Sequence, residues 1–163
     1  MPSNAAAAVS ASSIAPREAE FFGRLAADWW DPRGSSAMLH RITPLRSGLI
    51  HDAVSAHFGR DAKARVPLIG LWALDIGCGA GLMTEPLARM GAATTGIDAA
   101  PENIAAAAAH AAAGGLAIDY LATSVEALAV TGATFNIITC LEVVEHVADR
   151  DSFFAALAAL LAP

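Results

Sequence analysis

Between residues 74 and 81 the chain reads Leu74-Asp75-Ile76-Gly77-Cys78-Gly79-Ala80-Gly81, an apolar run that breaks into alternate glycines. Nothing else in the sequence constrains the fold as much. A glycine loop that closes a buried strand and opens a helix is where α/β sheets bring backbone against a nucleotide-like ligand. Glycine removes the Cβ that would hold the ligand off. The pattern predicts a strand over residues 71–76 and a helix over 81–90, with Gly91 just past its end.

The same alternation continues downstream. Strands are expected at residues 92–97, 116–121 and 135–140, and helices at 101–113, closed by Gly114-Gly115, and 149–161. Strands alternating with helices imply right-handed crossovers and a Rossmann-like parallel sheet of class α/β, its strands in the order 3-2-1-4. Residues 105–109 are all alanine, read as compositional bias with strong helix propensity.

Two helices are predicted before the sheet. One starts at Arg17 and carries the rows Phe21, Leu25, Trp29 and Phe22, Ala26, Trp30, stopping at Asp31-Pro32-Arg33-Gly34. The other opens with Thr43 as N-cap and Pro44 as first helical residue, with Leu45, Leu49, Ile50, Val54 and Phe58 inward. Residues 1–16 read as a disordered tail without Lys or Arg, unlike a secretory or mitochondrial leader. One domain, over 17–163, is expected.

The bulk composition excludes some classes. Hydrophobic residues make up 55%, but alanine supplies most of them and charges interrupt every long run, so no spanning helix is expected. A net charge of −6 argues against nucleic-acid partners held by broad electrostatics. Two cysteines, Cys78 and Cys140, are too few for a disulfide framework and fit a reducing, cytoplasmic setting.

The loop's spacing narrows the ligand class, the bland alternative being that Gly77, Gly79 and Gly81 only make a tight turn and Asp98 caps the following helix. G-x-G-x-G with Leu82 next departs from the dinucleotide pattern G-x-G-x-x-G/A and disfavours a nicotinamide cofactor. It suits S-adenosylmethionine, which has no pyrophosphate to cradle. Asp98 ends the second strand about 20 residues beyond the first glycine, where a carboxylate can accept both ribose hydroxyls. Candidate cofactor contacts in the loop are thus Asp75, Gly77, Gly79 and Gly81, with Asp98 beside them.

The fourth strand runs into Cys140-Leu141-Glu142-Val143-Val144-Glu145-His146. In the order 3-2-1-4, the loops after strands one and four border one crevice. A helical turn would put Glu142, Glu145 and His146 on one side, as ligands for Mg²⁺ or a similar ion, or with His146 as general base. A solvated acidic turn is the bland alternative. Leu141 is placed to pack on the cofactor's adenine or methionine. Arg46, in Leu39-His40-Arg41-Ile42-Thr43-Pro44-Leu45-Arg46, can pair with a carboxylate, although on composition alone it reads as a surface residue.

Taken together, Trp29-Trp30-Asp31-Pro32, the block 39–46, the glycine loop, Thr95-Gly96-Ile97-Asp98 and the stretch from Thr139 to Val147 resemble the ubiquinone-biosynthesis O-methyltransferases. These are class I S-adenosylmethionine-dependent enzymes that methylate polyprenylated phenols and catechols. The resemblance spans nearly everything after Arg17. It implies that Arg46, Gly77, Asp98 and Leu141 contact the cofactor, that Ser124, Val125 and Glu126 lie near the adenine, and that Glu142, Glu145 and His146 form a divalent-metal site. It also implies a lipid-tailed substrate, peripheral contact with the inner face of the cell membrane, and neighbours among the other enzymes of quinone synthesis. Asn136, Ser35 and Ser36 depart from the family pattern. The family continues past the position of Pro163 with further strands and a substrate-covering segment, so a shortened chain that binds cofactor without turnover is the alternative reading, alongside a methyltransferase of another small molecule.

Overall fold

The computed structural model describes residues 28–163. The expected disordered tail and the greater part of the helix expected from Arg17 lie outside the described residues. Trp29 and Trp30, placed by sequence on that helix, sit instead in a turn closed by Asp31 N–H donating to the Asp28 carbonyl at 3.1 Å.

Helix α1 (Ala37–His57) leads to β1 (Trp72–Ile76), α2 (Thr84–Arg89), β2 (Ala93–Asp98), α3 (Pro101–Ala113), β3 (Ile118–Ala122), α4 (Val125–Ala129), β4 (Ile137–Cys140) and α5 (Arg150–Leu160). A 3₁₀ turn, Val144–His146, separates the last two. The four strands form one parallel sheet in the order β3-β2-β1-β4, as the alternation of strands and helices requires.

The period-2 geometry of β1 divides the core. Leu74 and Ile76 point to one face, where they meet Ile97, Val125 and Leu128 of α4, and Phe153 and Leu160 of α5. Ala73 points to the other, against Ile137, Met83, Leu87 of α2 and Val54 of α1. Both faces of β1 are therefore covered, which is why it reads as a near-continuous apolar run. Helix α3 lays Asn103, Ala107 and Ala111, at i, i+4 and i+8, inward. The alanines that looked like bias give this helix a close seat beside β2 and β3.

Helix α1 differs from expectation. It begins at Ala37, so that Pro44 lies inside it and not at its first position. A proline nitrogen cannot donate to the carbonyl four residues back. Thr43 Oγ1 donates to the Leu39 carbonyl at 2.7 Å and Ser47 Oγ to the Thr43 carbonyl at 2.8 Å, so hydroxyls supply extra bonds on either side of the break. The earlier start puts Leu39, Thr43 and Arg46 on one face, toward the mouth of the sheet. Leu45 and Leu49, expected inward, are 67% and 64% exposed; Ile50, Val54 and Phe58 do the packing.

The short helix α4 was not expected. Its N-cap is Ser124, whose Oγ accepts from Ala127 N–H at 3.2 Å, and Val125 and Leu128 fix it to the core.

Replacing Phe153, which is 1% exposed, with alanine is expected to destabilise the fold by about 3–5 kcal/mol. Leu45→Ala is expected to change it by no more than about 0.5 kcal/mol. Urea unfolding followed by circular dichroism measures both, and equal losses would contradict the inside-outside assignment of these two side chains.

Candidate active site

The loop after β1 is shaped by its glycines. Gly77 and Gly79 have φ of 66° and 53°, the left-handed region that costs a residue with a Cβ. A Cβ on Gly77 would lie 2.3 Å from Val143 Cγ2, and one on Gly79 would lie 2.9 Å from the Trp29 indole. Gly79 N–H donates to Asp98 Oδ2 at 2.9 Å, which fastens the loop to the end of β2. Asp98 Oδ1 accepts from Ala100 N–H at 2.8 Å and from Asn103 Nδ2 at 3.2 Å.

Loop and acid open onto one cavity of about 300 Å³ at the C-terminal ends of the strands. Its walls include Asp75, Gly77, Gly79 and Asp98 from the first two strands and their loops. Ser124 and Val125 contribute from the α4 side, and Leu141, Glu142, Glu145 and His146 from the segment after β4. Arg46 enters from α1 and forms an ion pair with Glu142. The sequence thus brings almost all its candidates to one place. Gly81 is the exception: it does not line the cavity but lies under Tyr120, whose hydroxyl would stand 2.4 Å from an added Cβ.

Asp75 lines the cavity wall, yet its carboxyl is committed inward. It accepts from Thr84 Oγ1 and Thr139 Oγ1, both at 2.7 Å, and burial pushes its pKa up to about 6 against those two hydrogen bonds. It braces β1 against α2 and β4. Burial likewise raises the Cys78 thiol well above its ordinary value and the Cys140 thiol to about 11, so neither is poised as a thiolate at neutral pH.

Metal ligation is not assembled by this arrangement. Among the described residues no three of His, Cys, Asp and Glu gather as a metal-ligating group. Glu142, with φ of 57°, turns its carboxylate to Arg46, and the segment that follows is a 3₁₀ turn, so the i, i+3, i+4 face expected for Glu142, Glu145 and His146 does not form. The donors present do not fit a closed Mg²⁺ site.

Three further cavity residues carry buried polar atoms: Trp29, Glu126, expected near the adenine beside Ser124 and Val125, and Asn103, which the sequence did not point to. The Trp29 indole N–H, Asn103 Oδ1 and both carboxylate oxygens of Glu126 are buried and have no hydrogen-bond partner in the protein. Such orphans are costly unless a ligand or water satisfies them. One donor and three acceptor oxygens beside a glycine loop match the polar edge of a nucleoside. Trp30 helps hold this wall: its Nε1 donates to the Ala80 carbonyl at 3.0 Å, and its ring stacks on His110 at 3.4 Å between centroids. The signal in the sequence was the Trp29-Trp30 pair itself, too large to sit idle in a turn.

A model of the methyltransferase domain matches residues 74–163, more than half of the chain. The chain belongs to the methyltransferase domain family. Among methyltransferases, it is 49% identical over 152 residues to the ubiquinone biosynthesis O-methyltransferase of Sinorhizobium medicae, covering 93% of this chain and 61% of that protein. The chain therefore spans about three fifths of the length of the curated relatives it matches. In fold it is similar to the magnesium protoporphyrin IX methyltransferase of Synechocystis PCC 6803 with bound SAH, at a TM-score of 0.63 and 22% identity over 87% of this chain and 63% of that one. It is also similar to a 16S rRNA methyltransferase of T. thermophilus in complex with AdoMet and guanosine, at a TM-score of 0.55 and 26% identity over 72% of this chain and 32% of that one.

A carboxyl whose pKa is raised by folding contributes stability that is complete below its unfolded value of 3.8 and is lost as pH rises through about 6. Asp75→Asn should therefore flatten the fall in stability of this methyltransferase domain between about pH 4 and pH 7, by something on the order of 3 kcal/mol. Parallel pH-dependent urea curves for the protein and the variant would refute the burial of a titrating Asp75.

Proposed function

We propose that this protein is an S-adenosylmethionine-dependent O-methyltransferase acting on a phenolic or catechol hydroxyl of a polyprenylated quinone precursor. The observation that carries the reading is the single cavity in which Gly79, Asp98 and Arg46 meet. The name of the relative at 49% identity supports the choice of substrate class.

Each residue has a role set by its chemistry. Asp98, already accepting from two backbone N–H groups and from Asn103 Nδ2, keeps a lone pair on Oδ2 for a ribose hydroxyl. Arg46 pairs with the methionine carboxylate. Val125 and Leu141 give the adenine and thioether apolar walls, and the orphaned acceptors of Glu126 and Asn103 receive the adenine amino group. Ser124 shapes this end through its cap on α4.

When bound, the cofactor supplies a methyl group already activated on a sulfonium. The protein then aligns the acceptor hydroxyl and manages one proton. A phenol titrates near ~10, so at neutral pH a base at the cavity raises the reactive fraction. His146 is that base, with Glu145 beside it in the same wall. Methyl transfer from a cation to an oxyanion neutralises charge, and the wall of Leu141, Val143 and Phe153 favours that by excluding water.

A polyprenyl tail requires collection from a lipid surface. Met38, Leu45 and Leu49 form an exposed apolar row on α1, whose other face reaches the cavity, and they support peripheral contact at the cytoplasmic face of a membrane. No helix among the described residues is long and apolar enough to cross one. A second reading is cofactor binding without turnover, so binding and transfer are measured separately.

Asp98→Asn should weaken S-adenosylhomocysteine binding at least about tenfold by calorimetry, because the ribose contact loses a charged acceptor; unchanged affinity removes Asp98 from the ribose site. Glu126→Gln should narrow the preference for S-adenosylhomocysteine over S-inosylhomocysteine, since an amide can donate to the inosine oxygen where a carboxylate only accepts. Transfer of labelled methyl to a polyprenylated catechol tests turnover, and binding without any transfer favours the second reading.

A further inference from the structure

Arg46 and Glu142 stand 96 residues apart in sequence and meet at the cavity wall as an ion pair. Their side chains differ in setting. Arg46 is 24% exposed and held on the α1 face that carries Leu39 and Thr43, whereas Glu142 is 54% exposed and reaches over from the turn after β4. Among the described residues Glu142 is the one non-glycine with positive φ, at 57°. An L-residue seldom adopts that conformation unless surrounding contacts hold it there. In this structure the Glu142 side chain is paired with Arg46.

A guanidinium presents a planar fork that fits one carboxylate well. A ligand carboxylate arriving at Arg46 therefore meets a cation that already has a carboxylate partner. We propose that Glu142 is a built-in competitor for the carboxylate subsite, so that cofactor binding exchanges the Glu142 carboxylate for that of the amino-acid end of the ligand. This rests on the reading of Arg46 given above. The exchange has a second consequence. Once Arg46 is taken, Glu142 is released from its ion pair at the cavity wall, which Glu145 and His146 also line.

The size of the effect is bounded by exposure. A half-exposed ion pair is weak, so removing the competitor strengthens ligand binding by only a modest factor, about three- to tenfold. Two probes isolate it. S-adenosylhomocysteine carries the carboxylate; 5′-methylthioadenosine keeps the nucleoside and sulfur but lacks the amino-acid end.

The test is a calorimetric titration of both probes into the protein, Glu142→Gln, Arg46→Ala and the double variant, with melting curves to check the fold. Glu142 is exposed enough for the amide to be accommodated. Glu142→Gln is expected to tighten S-adenosylhomocysteine about three- to tenfold and to leave 5′-methylthioadenosine within about twofold. In the Arg46→Ala background the same substitution is expected to have no such effect. Salt gives an independent reading: exchange of one ion pair for another is nearly salt-neutral, whereas in Glu142→Gln a new pair is formed and binding weakens as salt rises. An unchanged or weakened S-adenosylhomocysteine affinity in Glu142→Gln, or an equal gain for both probes, overturns the competition while leaving the cofactor reading intact. If neither probe binds the unsubstituted protein, both fall.

Discussion

The hydrogen bond from Gly79 N–H to Asp98 is the joint on which the site depends. It ties the loop after β1 to the end of β2 at 2.9 Å, and Asp98 is itself fixed by Ala100 N–H and Asn103. The central pair of strands is thereby locked in the register that sets Asp75 opposite Gly96. Everything that enters the cavity from elsewhere, whether α1, α4 or the turn after β4, is placed relative to this joint. A carboxylate with several lone pairs can serve as such a structural clamp from both of its oxygens.

Beneath it lies a second polar centre, Asp75, buried between β2 and β4 and held by two threonine hydroxyls. Burying a carboxyl is expensive, and the raised pKa records the expense. What the fold gains is a fixed spacing between β1, α2 and β4 under the glycine loop. Gly96 completes the fit, because a side chain there would collide with Tyr120 at 2.7 Å and crowd the Cys78 sulfur at 3.1 Å. Polar brace and missing side chain together keep the loop thin.

Much of this was legible in the chain alone. The strands, their order and the convergence of Asp98 with the glycine loop follow from short apolar runs punctuated by glycine, since both signals are local. Helix α1 was misread because Pro44 after Thr43 imitates a helix start, whereas the start at Ala37 and the row of Leu39, Thr43 and Arg46 depend on tertiary contacts. Leu45 and Leu49 look like core by type and are surface by position. Asn103 resembles an ordinary first-turn helix residue, and only its buried Oδ1 without a partner in the protein marks it as a cavity group. The divalent-metal reading assumed a regular helical turn, and the left-handed backbone at Glu142 breaks that regularity.

The two tryptophans at the loop have an optical consequence. Trp29 lies against Gly79, Trp30 is stacked on His110 and bonded to Ala80, and Trp72 sits 61% exposed at the start of β1. Two of the three indoles thus sense the nucleotide end of the protein while the third faces solvent as an internal standard. Ultraviolet emission can follow occupancy of this cavity without any attached dye.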